Sequence, residues 1–331
     1  MRRARILGTG SCLPQRVVTN AELATRLTTS DEWIQQRTGV KERRYVDDGI
    51  GPSDLALTAT NRALDAAGLK ASDIDFIILA TQTAEHEFPG TACFLQKKLG
   101  NSGVGALDVR DQCTGFLYGL SIAEAFVQLG KYKRVLVVGT EVHSTGLDFS
   151  DRSRHITVLF GDGAGAVIVG ESESADRGIL STHLHADGKF AEELWVPAPG
   201  SIYPGRITHK LLDEGMHYPF MNGKAVFVEA VTQMINVSKE ALSANGLTPA
   251  DVTHFVPHQA NLRINESVAQ RLGIPSERCD SSITRYGNCA AASVPIAFDE
   301  RVRSGAVKEG DIVLMATFAA GFTWGAAVMR W

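Results

Sequence analysis

The sequence predicts an α/β fold, and three observations carry that prediction. Short apolar runs over 73–81, 104–110, 134–140 and 163–170 are bounded by polar or charged residues, the pattern of strands buried on both faces. Helical periodicities fill the intervals, and strand alternating with helix builds a parallel or mixed sheet covered by helices. The third observation is an internal repeat. Ala67-Gly68-Leu69 with Asp73-Ile74 and Phe76-Ile77 recurs as Asn245-Gly246-Leu247 with Asp251-Val252 and His254-Phe255-Val256. Lys98-Leu99-Gly100 is echoed by Arg271-Leu272-Gly273, and the glycine-rich turn at 160–169 by the one at 318–329. The chain therefore reads as two copies of one α/β unit, residues 1–177 and 178–331, with a loop-rich joining segment over 178–221.

In chain order, residues 4–14 read as a strand running into a Gly/Pro turn. Thr19 precedes a short helix and Ser30 a second, in Ser30-Asp31-Glu32-Trp33-Ile34, because a hydroxyl there accepts from free amides of the first turn. Residues 53–68 form an amphipathic helix, with Leu55, Leu57, Ala59, Ala63, Leu64 and Ala67 at helical spacing and Gly68 to close it. A strand over 73–81 and a helix over 91–99 follow. A short buried strand at 104–110 then leads through Asp111-Gln112-Cys113-Thr114-Gly115-Phe116 into an apolar helix over about 117–129. Buried strands at 134–140 and 163–170 complete the first copy. The joining segment holds Pro197, Pro199, Pro204 and Pro219 with little periodicity, and a long irregular stretch inside a compact protein covers a site or binds something. In the second copy a strand over 252–256 ends near His258, and Tyr286-Gly287-Asn288 opens another helix.

Composition narrows the class. Hydrophobic residues at 44% and charged residues at 21% describe an ordinary globular protein, and a net charge of −4 gives no global field for nucleic acid or an anionic membrane. The first residues carry charge but no hydrophobic stretch long enough for a signal peptide, and no run approaches the ~18 apolar residues of a membrane helix. Cys12, Cys93, Cys113, Cys279 and Cys289 are odd in number and form no C-x-x-C pair, which argues against a disulfide framework and against a zinc site. The expectation is a cytoplasmic protein with reduced thiols and no metal.

Cys113 is the candidate nucleophile. At a strand-to-helix turn, free amides and the positive end of the helix dipole favour a thiolate, so its pKa is expected to fall. Gly115 is expected to let a substrate approach the sulfur. A buried structural cysteine is the competing reading. His258, at a strand end, and Asn288, near a helix start, each have a bland reading as an interior histidine and a cap. Together, Cys, His and Asn from the two copies form a constellation suited to acyl transfer.

These residues carry a resemblance. Ile6-Leu-Gly-Thr-Gly10, Ser30-Asp-Glu-Trp-Ile34, Arg37-Thr-Gly39, Cys113-x-Gly-Phe116, Phe160-Gly-Asp-Gly-Ala-Gly165, His258-Gln-Ala-Asn261, Tyr286-Gly-Asn288 and Gly321-Phe-Thr-Trp-Gly325 follow, in order, the pattern of the β-ketoacyl-acyl carrier protein synthase III enzymes of the thiolase superfamily. The resemblance implies a thiolase-like fold, two α/β halves in a layered α-β-α-β-α core. It implies a decarboxylative condensation of an acyl group, taken from acyl-coenzyme A onto Cys113, with a malonyl thioester, malonyl-ACP or malonyl-CoA. His258 and Asn288 then hold the malonyl carbonyl as carbon dioxide leaves, and the amides of Cys113 and Ala320 form the oxyanion hole. Trp33, Arg37 and Arg152 are expected at the adenine and phosphates of coenzyme A, and Asn261 at the pantetheine arm. Phe88 closes the acyl pocket across a homodimer interface, and Arg263 and Arg271 face an acyl carrier protein. No cofactor beyond the thioester substrates is implied.

The chain departs from the family where three glycines are usual and Ala319-Ala320-Gly321 stands, where Cys289-Ala290 follows Asn288, and where Gln270 replaces a common lysine. The methyl of Ala320 is expected to crowd the oxyanion hole and to exclude φ > 0. A longer joining segment adds to these departures. They point to an alternative, a specialised relative joining medium-chain or aromatic acyl thioesters in secondary metabolism; an acyl thioesterase and a non-catalytic thioester-binding protein are the further rivals.

Overall fold

A computed structural model describes residues 2–331. Seven strands lie in the first half: Ala4–Cys12 (β1), Arg16–Thr19 (β2), Glu42–Tyr45 (β3), Phe76–Ala80 (β4), Gly105–Val109 (β5), Arg134–Glu141 (β6) and Gly163–Glu171 (β7). Six follow: Gly178–Ala186 (β8), Leu194–Trp195 (β9), Phe220–Met221 (β10), His254–Pro257 (β11), Ile312–Ala319 (β12) and Thr323–Arg330 (β13). One mixed sheet has the order β1-β7-β6-β4-β5 and a second the order β11-β12-β13-β8. In the first, β4 runs parallel to β5 and β6, while β7 is antiparallel to both β1 and β6.

The layering follows from which faces are apolar. The helices Gly115–Gln128 and Ser293–Arg303 bury Phe116, Leu120, Val294 and Phe298 against Ile78 and Val137 of one sheet and Val313 and Met315 of the other, so this pair forms a middle layer. The helices Pro52–Ala67 and Thr91–Leu99 cover the outer face of the first sheet through Leu55, Ala59 and Leu95. Gly223–Ser243 and Leu262–Leu272 cover that of the second through Met234, Ile264 and Val268. The result is the α-β-α-β-α arrangement implied by the resemblance.

Two expectations are corrected. The segment 178–221 is not loop throughout, because its first nine residues are β8, an edge strand of the second sheet. Strand β5 is not buried: it pairs only with β4, and Gly105 and Leu107 face outward on its open edge. A continuous apolar run does not distinguish a central strand from an edge awaiting cover.

The halves meet where side chains are missing. A Cβ on Gly139 in β6 would lie 2.2 Å from the carbonyl oxygen of Ala291, and one on Gly161 would lie 2.1 Å from that of Tyr286. The turn carrying Asn288 therefore rests directly on the first-half backbone. Gly139→Ala is expected to lower stability by about 1–3 kcal/mol, the range for overpacking a close contact, and to reduce activity as well; urea unfolding with a parallel turnover assay measures both.

Candidate active site

Cys113 lies in a single 3₁₀ turn, Gln112–Thr114, between β5 and the helix Gly115–Gln128. The turn is held from both sides. The Thr114 hydroxyl bonds to the Asp111 carboxylate at 2.5 Å and meets the Thr323 hydroxyl at 2.6 Å, which ties the nucleophile's neighbour to the start of β13. Gln112 adopts φ 42°, a left-handed conformation costly for a residue with a Cβ. Gly115 serves packing rather than substrate access, because a Cβ there would come within 2.9 Å of the Ala80 side chain.

Cys113 is 8% exposed and packs with Ala290 and Ala319. Burial pushes its pKa up, and the Glu141 and Asp111 carboxylates add to that, outweighing the backbone hydrogen bond that favours the thiolate. The expected fall in pKa is thus reversed, with desolvation the largest cause. Cys113 rests as a thiol.

His258 follows β11, with its amide donating to the Ala316 carbonyl at 2.8 Å. Its Nδ1 is buried with no hydrogen-bond partner, and burial drives its pKa down to about 3, so the imidazole is neutral at pH 7. Asn288 is fixed by its own backbone. Its N–H donates to the Leu159 carbonyl at 2.8 Å, its carbonyl accepts from Gly161 at 3.0 Å, and its Oδ1 accepts from the Ala290 amide at 2.8 Å. With Oδ1 engaged, the side chain offers its NH₂ as donor.

Cys113, His258, Asn288 and Ala320 line one cavity of about 1400 Å³, together with Trp33, Arg37 and Asn261. Pockets that hold drug-sized ligands run roughly 300–1,000 Å³, so this one has room for an extended molecule. Neither Ala319 nor Ala320 is among the residues with positive φ; that conformation falls on Gly321, at φ 138°. The alanines therefore impose no backbone strain, in keeping with the exclusion of φ > 0 expected of Ala320.

Trp33 is flanked by two guanidinium groups, Arg37 at 4.8 Å and Arg154 at 5.2 Å from its ring. Arg152 does not line the cavity; it is exposed, paired with Asp148 at 2.8 Å and 5.5 Å from the Tyr218 ring. Asn261 caps the helix Leu262–Leu272 by accepting from Arg263, and its NH₂ donates to the Arg37 carbonyl at 3.1 Å. Arg263 donates to the Gln36 carbonyl at 2.6 Å and lines a shallow depression beside Arg37 and Phe227. Arg271 is exposed near the far end of that helix. Phe88 is 80% exposed, outside the cavity wall of its own chain.

Sequence reasoning missed Glu141, His143, Arg154 and the role of Asp162. Asp162 accepts from the amides of Val46, His143 and Ser144 and so fixes two loops at the cavity wall. Its signal was present, since it stands inside Phe160-Gly-Asp-Gly163. Glu141 is fully buried and accepts from Thr83 Oγ1 at 2.7 Å and from the Gln82 amide, yet burial still pushes it up to about 8. Among the described residues no cluster of three or more His, Cys, Asp or Glu could hold a metal ion, and no helix is long and apolar enough to cross a membrane.

Comparison with known proteins fits this geometry. The family model for 3-oxoacyl-[acyl-carrier-protein] synthase III matches residues 107–188, and that for its C-terminal part matches 242–331. A β-ketoacyl-[acyl-carrier-protein] synthase III from Caldanaerobacter subterraneus is 46% identical over 99% of this chain and 98% of its own. The crystal structure of the 3-oxoacyl-[acyl-carrier-protein] synthase III of Aquifex aeolicus superposes with a TM-score of 0.91 at 41% identity, covering 99% and 100% of the two chains. The priming β-ketosynthase of the R1128 polyketide pathway superposes with a TM-score of 0.90 at 36% identity, covering 99% and 96%.

The raised Glu141 predicts a pH dependence. The native state holds this proton up to about pH 8 while the unfolded chain loses it near 4.5, so stability falls as pH rises between those values and levels off above. Glu141→Gln is expected to remove roughly 2 kcal/mol of the difference between pH 6 and pH 9, read from denaturant midpoints at the two values.

Proposed function

The chain belongs to the β-ketoacyl-[acyl-carrier-protein] synthase III family of condensing acyltransferases, which initiate fatty acid biosynthesis, and on that premise we propose how its residues divide the reaction. Cys113 attacks the carbonyl of an acyl-coenzyme A. The S–C bond to coenzyme A breaks as the bond to Sγ forms, and the proton lost by the thiol ends on the departing sulfur. A malonyl thioester, carried by acyl carrier protein or coenzyme A, then binds with its carbonyl oxygen at His258 and Asn288. Loss of carbon dioxide drives negative charge onto that oxygen, where two fixed donors stabilise it. The carbanion attacks the acyl carbon on Cys113; a C–C bond forms, the S–C bond breaks, and the sulfur regains a proton.

The observation that carries this reading is that a sulfur from the first half and an imidazole and carboxamide from the second line one cavity. A neutral imidazole suits a donor to a developing oxyanion, and the low His258 pKa supports that form. The amides of Cys113 and Ala320 complete the hole for the acyl carbonyl. Trp33 with its flanking guanidiniums suits an adenine and its phosphates, which assigns Arg37 and Arg154 to coenzyme A ahead of Arg152. Asn261 lies along the pantetheine path, and Arg263 and Arg271 offer an acidic carrier protein a basic approach. We place the reaction in the cytoplasm, with no resident cofactor. The wide cavity keeps a second reading alive, a relative that takes longer or aromatic primers.

Intact-protein mass spectrometry after incubation with acyl-coenzyme A thioesters is expected to give one acyl adduct, absent in Cys113→Ala. His258→Ala and Asn288→Ala are expected to keep that adduct while losing on the order of 10²–10³ in condensation, the loss seen when one oxyanion donor is removed. Free acid as the sole product would instead mark a thioesterase.

We also propose a homodimer joined along the open edge of β5. The loop bearing Phe88 is pinned to that edge, because Asp108 of β5 accepts from the Thr91 and Ala92 amides at 2.7 Å each. Phe88 and Leu107 are both exposed, and the backbone on that edge of β5 is unpaired. Phe88→Asp is expected to shift the protein toward monomer in sedimentation velocity, and an unchanged species would argue against this edge.

A further inference from the structure

Glu141, the last residue of β6, is wholly buried, and the proposed reaction gives it no task. Donors surround its carboxyl. Thr83 Oγ1 accepts from the Val142 amide at 2.8 Å and so donates its own proton to Glu141 at 2.7 Å. Thr81 Oγ1 follows at 3.3 Å and the Gln82 amide at 3.2 Å, while the Ala291 amide favours the charged form from the second half of the chain. Two parts of the site therefore meet on one carboxyl. Gln82 and Thr83 line the cavity, and Ala290, which opens the short turn Ala290–Ala292, packs on Cys113 itself.

Hydrogen bonding and burial oppose each other here. The donors favour a carboxylate, yet burial is the larger effect and pushes Glu141 up to about 8. The titratable groups on which its charge acts are Cys113 and Cys289, both thiols held high by burial, with Asp111 adding to the first and Asp162 to the second. None of these is a cation. Since a negative charge on Glu141 opposes a thiolate on Cys113, the neutral carboxyl is the form that suits acylation.

We propose that Glu141 is a positioning residue for acyl transfer to Cys113, its neutral carboxyl clamping the 81–83 loop to the 290–292 turn while keeping charge away from the sulfur. The inference rests on the reading of Cys113 as the acyl carrier, and it deepens that reading by naming what holds the surroundings of the thiol. A carboxamide can stand in for such a carboxyl. A hydrocarbon side chain cannot, because it leaves the buried donors unpaired.

The test measures the rate of Cys113 acylation by acetyl- and octanoyl-coenzyme A, read by intact mass from about pH 6 to about pH 9.5. The wild-type rate is expected to climb with pH as thiolate grows, then to bend near pH 8 as Glu141 ionises. A one-unit rise in a thiol pKa cuts the thiolate about tenfold, and the higher nucleophilicity of a more basic thiolate restores about half of that on a logarithmic scale. Glu141→Gln, neutral throughout, is expected to retain most of the rate at the acid end and to climb without a bend, leaving wild type roughly threefold or more behind at the alkaline end. Glu141→Leu is expected to lose on the order of 10²-fold at every pH, the cost of a small displacement of reacting groups, with circular dichroism to establish that it folds. If it does not fold, the wild-type bend and its loss in Glu141→Gln decide the matter. A wild-type profile unbroken through pH 8, a bend that persists in Glu141→Gln, or a folded Glu141→Leu that reacts at the wild-type rate overturns the inference alone. No adduct from any thioester overturns the Cys113 reading and this inference with it.

Discussion

The site depends on one steric constraint, the direct contact of second-half backbone with first-half strands. Gly139 and Gly161 leave the space that the carbonyls of Ala291 and Tyr286 occupy. Between those contacts Asn288 exchanges two backbone hydrogen bonds with Leu159 and Gly161, a short parallel bridge outside either sheet. A carboxamide placed this way is positioned by main chain on both sides. Its orientation needs no support from a flexible side chain, and sites that stabilise a developing charge gain most from such preorganisation. The Thr114–Thr323 contact performs the same service for Cys113 from the opposite direction.

Burial without ion pairing sets the electrostatics. Cys113 is pushed up, His258 and His143 are pushed down, and Glu141 is pushed up, each with desolvation as the largest cause. The resting site therefore carries little charge despite its titratable groups. In the proposed reaction charge appears only as bonds change, first on sulfur and then on an enolate oxygen, in surroundings where fixed dipoles act strongly because water is largely excluded. A thiolate stabilised in advance would lose part of that advantage and some intrinsic nucleophilicity as well.

Much of this was legible in the sequence. The strand runs at 134–140 and 163–170 and the helix at 91–99 fall almost where the structure places them, since both faces of a central strand and one face of a covering helix must be apolar. The repeat predicted two sheets of related build, and the motif residues Cys113, His258 and Asn288 converge on one cavity. What escaped depends on tertiary surroundings. An apolar run carries no mark of whether a second strand covers its edge, so β5 read as buried. Helix-terminus reasoning gave the wrong sign for the Cys113 pKa because the depth of burial and the nearness of Glu141 belong to no local pattern. His143 gave no signal at all, since a lone histidine after a strand acquires meaning only from the wall in which it sits.

Backbone geometry around the sulfur explains how the chain tolerates alanine where glycines were expected. Positive φ is needed at Gly321 but not at Ala319 or Ala320, while two residues with side chains, Gln112 and Ala290, take it up at 42° and 40° on either side of Cys113. Each costs of order 1–2 kcal/mol over a relaxed conformation, and a glycine at either position would relieve it. Ala290 packs with Ala319 against the sulfur, so glycine there would exchange strain for a gap beside the nucleophile. The two alanines beside Sγ thus act together, their methyl groups confining the sulfur laterally. The chain thus keeps side chains beside its sulfur without asking Ala319 or Ala320 for the left-handed backbone that Gly321 supplies.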